Sequence, residues 1–267
     1  MVELSIIILN YKQRGLVKQC VKGILSLCLV FDYEIIVVDN DSRDGCLKMI
    51  KKQFNNSRIK TIQSDKNLGM GAGNNLGIRQ AQGEYILILN PDITLLEGAI
   101  EKMIKFMKES SRVGILAPKL LNPDRSVQYA QFRFPDFWRP LYRRTLLGKT
   151  AWGKKRLEDF LMFDWDRKSA RKIDWALGAC LLIRKLALDS IGLFDERFFL
   201  FFEDTDLCRR FWNNSWEVWC LPEAEMVHYP ERLSAKKINL QNLFSKPVRA
   251  HLISQMKYFC KWRKYTN

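Results

Sequence analysis

The chain has 267 residues and a mass of 31.5 kDa, room for one large domain with an appendage. Hydrophobic residues make up 47% and charged residues 27%, a balance that excludes wholesale disorder and supports a sizeable core. A formal net charge of +15 and a pI near 9.6 point to a polyanionic partner: nucleic acid, acidic lipid or a phosphorylated ligand.

The charge is unevenly spread. Residues 132–172 carry twelve basic and five acidic side chains, residues 173–231 five and eleven, and residues 232–267 nine and none. A carboxylate-rich segment therefore lies between two basic ones. The seven cysteines show no C-x-x-C or zinc-ligand spacing, so neither a disulfide framework nor a zinc module is indicated, and a reducing cytoplasm is the expected compartment. The N-terminal Met-Val-Glu-Leu-Ser has no basic n-region, and no stretch reaches the roughly 18 uncharged apolar residues a spanning helix needs. A soluble or membrane-surface protein is expected.

In chain order, Leu4 to Leu9 is an unbroken apolar run, followed by Asn10-Tyr11 and a helical segment from Gly15 to Leu29. Buried parallel strands read this way. The pattern repeats at Glu34 to Val38, which ends in Asp39-Asn40-Asp41-Ser42, with a helix from Gly45 to Phe54. Arg58 to Gln63 is a third strand, Gly73 to Gln82 a helix, Glu84 to Leu89 a fourth strand ending in Asn90-Pro91-Asp92, and Leu96 to Ser110 a helix. Beyond Pro118 the regularity fades. Residues 132–172 interleave nine aromatics with their cations, among them Arg133, Trp138, Arg139, Tyr142, Arg143 and Arg144. Ile173 to Ile183 reads as a strand with a Gly178-Ala179 turn, Arg184 to Ile191 as a short helix, and Lys246 to Tyr265 as an amphipathic helix. Val248, Leu252, Ile253, Met256 and Phe259 share one side of that helix, and Arg249, Lys257, Lys261 and Lys264 another. Strands alternating with helices predict an α/β fold, a mostly parallel sheet with helices on both faces that binds ligands at its strand C-terminal ends.

Five features carry candidate chemistry. Gly69-Met-Gly-Ala-Gly73 is not a dinucleotide fingerprint, because that belongs directly after the first strand; its glycines let the backbone approach either a helix or a ligand phosphate. Asp39 can accept from a pyrimidine ring N–H or ribose hydroxyls, or cap a helix. Asn90-Pro91-Asp92 can direct two oxygen ligands toward Mg²⁺ or Mn²⁺, or form a turn with an Asx cap. Glu203, Asp204 and Asp206 follow a run of aromatics, an arrangement that costs stability unless a cation or a helix N-terminus compensates it and that suits a general base. His228 is one of two histidines, and either completes a metal site or is structural.

These pieces, in order from Ser5 to His228, resemble an inverting family 2 glycosyltransferase of the GT-A fold, in the rhamnosyltransferase-like branch of bacterial surface-polysaccharide synthesis. The resemblance rests on Ser5-Ile-Ile-Ile-Leu-Asn-Tyr11, Val37-Val-Asp-Asn-Asp-Ser42, Asn67-Leu-Gly-Met-Gly-Ala-Gly-Asn-Asn-Leu-Gly77, Leu89-Asn-Pro-Asp92, Gly178-Ala-Cys-Leu-Leu-Ile-Arg184, Ile191-Gly-Leu-Phe-Asp-Glu196, Glu203-Asp-Thr-Asp-Leu207 and Val227-His228. It implies that Asn10, Tyr11 and Asp39 hold the nucleoside, and that Asn67, Gly69 and Asn74 line the donor pocket. By the same resemblance Asn90 and Asp92 replace a D-x-D pair, with Asp92 and His228 on Mg²⁺ or Mn²⁺. Asp204 would be the base, and Glu203, Trp175 and Gly178 would lie on the acceptor side. Asn90 departs from the family pattern, since a neutral amide binds Mg²⁺ more weakly than a carboxylate.

The implied donor is dTDP-L-rhamnose, with UDP-galactose, UDP-glucose and UDP-N-acetylhexosamines open. The implied acceptor is a glycan, in particular a polyprenyl-diphosphate-linked one at the inner face of the cell membrane. On this reading residues 1–231 form the catalytic domain, a nucleotide-binding half to about residue 120 and an acceptor half with a basic aromatic insertion at 132–172. Residues 232–267 form a basic helical extension, either docked on anionic lipid or packed on the domain. A basic nucleic-acid-binding protein is the alternative of another class, but carboxylates at Glu203–Asp206 and at strand ends would repel phosphate without a metal. A sugar-1-phosphate nucleotidyltransferase or a methyltransferase would need a glycine-rich loop after the first strand, where Asn10-Tyr11-Lys12-Gln13-Arg14 stands instead.

Overall fold

The computed structural model describes residues 2–138, 146–229 and 246–263. The apolar runs form β1 (Leu4–Asn10), β2 (Tyr33–Asp39), β3 (Ile59–Gln63) and β4 (Tyr85–Leu89), which pair in parallel in the order β3-β2-β1-β4. Between them run α1 (Arg14–Ser26), α2 (Cys46–Gln53) and α3 (Met70–Gln80). The chain continues through β5 (Ile93–Leu95), α4 (Ala99–Glu109), β6 (Val113–Leu121), β7 (Gln131–Phe132), α5 (Ala151–Phe160), β8 (Arg171–Lys172), β9 (Trp175–Ala176) and β10 (Cys180–Arg184). The last elements are α6 (Lys185–Ile191), α7 (Glu203–Asn213), β11 (Glu217–His228) and α8 (Lys246–Lys261).

The main sheet extends beyond β4 as β4-β10-β6-β11-β5, with β10 antiparallel to both neighbours and β11 parallel to β6. Alternation along each strand sends side chains to two separate cores. Ile6 and Ile8 join Val17, Val21 and Met103 on one face, whereas Ile7 joins Ile78, Leu188, Leu207 and Phe211 on the other. Both faces are covered by helices, as the mostly parallel α/β expectation requires.

Two long strands escape the sequence reading, and prolines explain why. Pro118 lies inside β6 and Pro222 inside β11, residues that argue against central strands because they donate no ladder hydrogen bond. Here Pro118 is paired with Leu221 where the β6–β11 register breaks, between Leu221 and Glu225, and its carbonyl accepts from Gln131 Nε2 at 2.9 Å. A bulge is where a strand tolerates proline. α3 also starts at Met70, earlier than the predicted Gly73, so Gly71 and Gly73 are helical.

The basic aromatic segment is divided. Phe132, Phe160 and Trp165 are buried, while Phe137, Trp138, Trp152 and Phe163 are exposed. Arg139, Tyr142, Arg143 and Arg144 lie outside the described residues, as do Lys264, Tyr265 and the 231/232 boundary. The C-terminal helix packs on the domain: Tyr258, Phe259 and Trp262 cluster with Phe198 and Phe202. Of the cations assigned by periodicity to a solvated or lipid-facing side, Lys257 is exposed whereas Lys261 turns inward. Lys257 Nζ donates to the Arg197 carbonyl at 2.6 Å, and Lys261 bridges Asp195 and Asp206 at 2.8 and 2.7 Å.

Candidate active site

The C-terminal ends of β1 and β2 are tied together by side chains. Asn10 is fully buried; its amide nitrogen donates to Ser42 Oγ at 3.0 Å and approaches Asp44 at 3.3 Å, and its carbonyl accepts from Gln13 N–H. Asp39 is buried and Oδ1 accepts from Ser42 N–H at 2.9 Å. Both residues therefore shape this corner, and Tyr11 beside them is exposed with Lys12 Nζ 5.4 Å from its ring centre. Asn40, which sequence reasoning passed over, is the pin for the next loop. Its Nδ2 donates to Asn67 Oδ1 at 3.0 Å and Gly69 O at 2.9 Å, and its Oδ1 accepts from Leu68 N–H at 2.9 Å. Asn67 Oδ1 also accepts from Gly69 N–H.

The glycines of this loop face protein. A Cβ on Gly69, whose φ is +85°, would stand 2.0 Å from the Phe199 carbonyl oxygen. One on Gly71 would meet Phe194 and Glu203 at 3.1 and 3.3 Å, and one on Gly73 would overlap Leu9 at 2.7 Å. Of the two readings of these glycines, close packing within the chain is the one this geometry supports, and Gly69 acts by bringing the Asn67–Gly69 loop against Phe199. Asn74 donates from Nδ2 to Met70 O at 3.1 Å, and its Oδ1 is buried without a hydrogen-bond partner among the described residues.

A second group forms where β4 ends. Asn90 N–H donates to Ala179 O at 2.8 Å, and β5 pairs antiparallel with the end of β11, so that His228 stands opposite Ile93. This hairpin-like pairing carries Asp92 to His228: Asp92 Oδ2 and His228 Nε2 are 3.4 Å apart, and both side chains are largely buried. His228 Nδ1 lies 2.8 Å from Gln128 Oε1. With that oxygen as acceptor Nδ1 carries a proton, and in the neutral ring Nε2 presents a lone pair toward Asp92. Two acceptors then face each other, and Asp92 Oδ1 is buried with no partner among the described residues. Gln128 is a second residue that sequence reasoning missed; nothing in its surroundings along the chain marks it. No group of three or more His, Cys, Asp and Glu suited to a metal occurs among the described residues, so protein would supply two such ligands here, with Asn90 adjacent.

The third group opens α7. Glu203, Asp204 and Asp206 occupy its first turn, where the helix dipole favours negative charge, and all three are buried. Asp204 Oδ2 accepts from Gly178 N–H at 2.9 Å, and Oδ1 accepts from Thr205 N–H at 2.7 Å. Burial raises the Asp204 carboxyl above its ordinary range, partly offset by these hydrogen bonds. Burial, with the Asp204 charge second, pushes Glu203 further up. The Gly178-Ala179 turn thus holds Asp204 by the N–H of Gly178 and Asn90 by the carbonyl of Ala179. Trp175 precedes this turn in the chain. Its ring packs on Phe132 at 4.7 Å and its indole N–H donates to Arg133 O at 2.9 Å, so the side chain is buried.

Residues 5–162, more than half of the chain, match the family model described as Glycosyl transferase family 2. The chain is a family 2 glycosyltransferase. The matched span includes Asn10, Asp39, Asn90 and Asp92, while Asp204 and His228 lie beyond it. A relative 30% identical over 224 residues, covering 77% of this glycosyltransferase and 69% of the relative, is the N-acetylglucosaminyl-diphospho-decaprenol L-rhamnosyltransferase of Mycobacterium tuberculosis. The rhamnosyltransferase WbbL of Escherichia coli K12 is 27% identical over 88% of this chain and 85% of its own. Among solved structures, GalNAc-T7 with UDP, GalNAc and Mn²⁺ aligns with a TM-score of 0.62 at 14% identity, over 85% of this chain and 44% of that one. TarS 1–349 of S. aureus aligns at 0.59 and 19% identity, over 85% and 60%. These likenesses show the GT-A fold expected from the sequence. Among the described residues, no helix is long and apolar enough to cross a membrane.

Proposed function

We propose that this glycosyltransferase moves a sugar from a nucleotide-diphosphate donor to a hydroxyl of a lipid-linked glycan, with inversion, in bacterial surface-polysaccharide synthesis. L-rhamnose from dTDP-L-rhamnose is the leading donor, supported by the two rhamnosyltransferase relatives; a hexosyl or N-acetylhexosaminyl donor is the alternative within the fold. The observation that carries the reading is the Gly178-Ala179 turn, which joins the buried carboxylate Asp204 to the Asn90-Asp92-His228 group through two backbone hydrogen bonds.

Asp204 takes the proton from the acceptor hydroxyl as that oxygen attacks the sugar carbon, and the Gly178 N–H keeps the carboxylate aimed. Its raised proton affinity makes it a stronger base than an exposed aspartate. Tyr11, Asp39 and the pinned Asn67–Gly69 loop form the nucleoside side, and the unpartnered Asn74 Oδ1 is an acceptor for a donor hydroxyl. Asp92 and His228 Nε2, two facing acceptors with one orphaned oxygen beside them, suit a divalent cation, Mg²⁺ or Mn²⁺, with Asn90 as a weaker neighbour. Such a cation would neutralise the diphosphate charge that grows as the glycosidic bond breaks.

A membrane-surface location fits a lipid-linked acceptor. Phe137 and Trp138 next to α8, and Leu252, Ile253 and Met256 on it, are exposed, and residues 232–267 carry no acidic side chain. The decisive experiment for catalysis is Asp204→Asn: transfer falls by about 10²–10⁴-fold while donor binding by calorimetry is unchanged. Retained turnover rejects the assignment. For the membrane, Ile253→Asp with Met256→Asp should lose flotation with anionic liposomes, and equal flotation removes α8 from the argument.

A further inference from the structure

The turn that delivers Glu203 and Asp204 is strained. Phe201 and Phe202 both have φ of +67°, a left-handed conformation that bulky L-residues avoid. Such a turn persists only if its surroundings over-determine it, and here the surroundings belong to two elements far apart in the chain. On the donor side, Met70 N–H donates to the Phe199 carbonyl at 2.8 Å. On the other side, Ser254 Oγ of α8 donates to the next carbonyl, Leu200 O, at 2.8 Å. The rings of Phe201 and Phe202 lie 5.1 and 5.4 Å from that of His251, and Phe202 lies 5.2 Å from Tyr258.

α8 also reaches past the turn into the first turn of α7. Asp206 is fully buried and accepts from Trp262 Nε1 and Lys261 Nζ, both at 2.8 Å, as well as from Arg210 Nε at 3.0 Å. Lys261 thereby compensates a carboxylate two residues from Asp204, which three crowded acids in one turn require. His251, Ser254, Tyr258 and Lys261, at helical spacing, form one stripe of α8 spent on this turn and on Asp206.

We infer that α8 is a positioning element for the proposed base: Lys261 on Asp206 and Ser254 on Leu200 hold the Phe201-Phe202 turn closed, so that Asp204 stays on the Gly178 N–H. This rests on the assignment of Asp204 above. None of the residues involved touches the reacting groups, so their effect falls on turnover rather than on donor affinity.

The test uses the full chain with Lys261→Met, Lys261→Arg and Ser254→Ala. Release of nucleotide diphosphate is measured from dTDP-L-rhamnose and a UDP-sugar panel with a synthetic polyprenyl-diphosphate N-acetylglucosamine. Lys261→Met and Ser254→Ala should lower kcat about tenfold or more, with donor KM and dTDP affinity within about twofold, and Lys261→Arg should recover most of the loss. Amide exchange in residues 199–206 should accelerate about tenfold in the first two variants while β1 to β4 are unchanged. Wild-type kcat and unchanged exchange in both variants overturn the inference. Ser254→Ala removes one hydrogen bond and strands no charge, so it answers even where Lys261→Met does not fold. A wild type that releases nucleotide from no donor overturns the proposed donor and acceptor instead, and the exchange data then judge the positioning of the turn alone.

Discussion

Gly69→Ala separates two uses of a glycine-rich loop, contact with a ligand phosphate and contact with the chain itself. At φ +85° and ψ −174°, Gly69 occupies a region open essentially to glycine, and forcing alanine there costs about 1–3 kcal/mol. The added Cβ would also sit 2.0, 2.7 and 2.8 Å from the carbonyl O, C and Cα of Phe199, all backbone atoms that cannot swing aside. Relief requires the loop to retreat, which breaks the 2.8 Å bond from Met70 N–H to Phe199 O and adds overpacking strain of about 1–3 kcal/mol. Because one displacement relieves several of these costs together, the total is about 3–6 kcal/mol, a large share of a typical folding free energy. For a chain of this length that is about 5–10 °C in Tm. The assay is urea unfolding by far-UV circular dichroism without donor, with calorimetric dTDP binding on the same samples. Were the glycine needed only for a bound phosphate, the ligand-free variant would be as stable as wild type and lose only nucleotide affinity. That outcome, or a loss below about 1 kcal/mol, would falsify the packing account.

The buried acids make stability fall as pH rises. Glu203 and Asp204 have folded-state proton affinities above those of the unfolded chain, so their contribution is complete below the ordinary carboxylate range and is lost as pH climbs through the raised values. Glu203→Gln should therefore be more stable than wild type at pH 7 and no more stable at pH 4, checked by urea titration at both. The acid limb of the kcat/KM profile should lie above the range of an exposed aspartate, because Asp204 must ionise to act; a limb near pH 4 would contradict its burial. Gln128→Leu removes the acceptor that holds His228 Nδ1–H, and should raise the Mn²⁺ concentration for half-maximal activity about 10–100-fold. Asn40→Ala strands Asn67, Leu68 and the Gly69 carbonyl, and should raise donor KM by about tenfold with less change in kcat, measured by initial rates.

What the sequence disclosed follows from the physics of each element. β1, β2 and β4 are buried on both faces, so they read as continuous apolar runs and their polar ends, Asn10, Asp39 and Asn90, stand out. β6 and β11 were hidden by prolines that a register break accommodates. The acidic helix start at Glu203–Asp206, marked by charge and aromatic crowding, was legible. Gln128 and Asn40 were not, because an amide that orients another side chain leaves no trace in composition or period. The helical period of residues 246–265 was clear, yet periodicity assigned Lys261 to solvent because its partners, Asp195 and Asp206, lie more than fifty residues upstream.

The placement of β10 bears on how this protein is made. Strand pairs β1–β2 and β1–β4 can form as soon as residue 89 has left the ribosome, but β6 has no place beside β4 until residues 180–184 arrive to lie between them. A fragment cut at residue 162, where the family match stops, would expose the β4 and β6 edges to any passing strand. Nascent chains of intermediate length face the same hazard until residues 180–184 emerge to fill the gap.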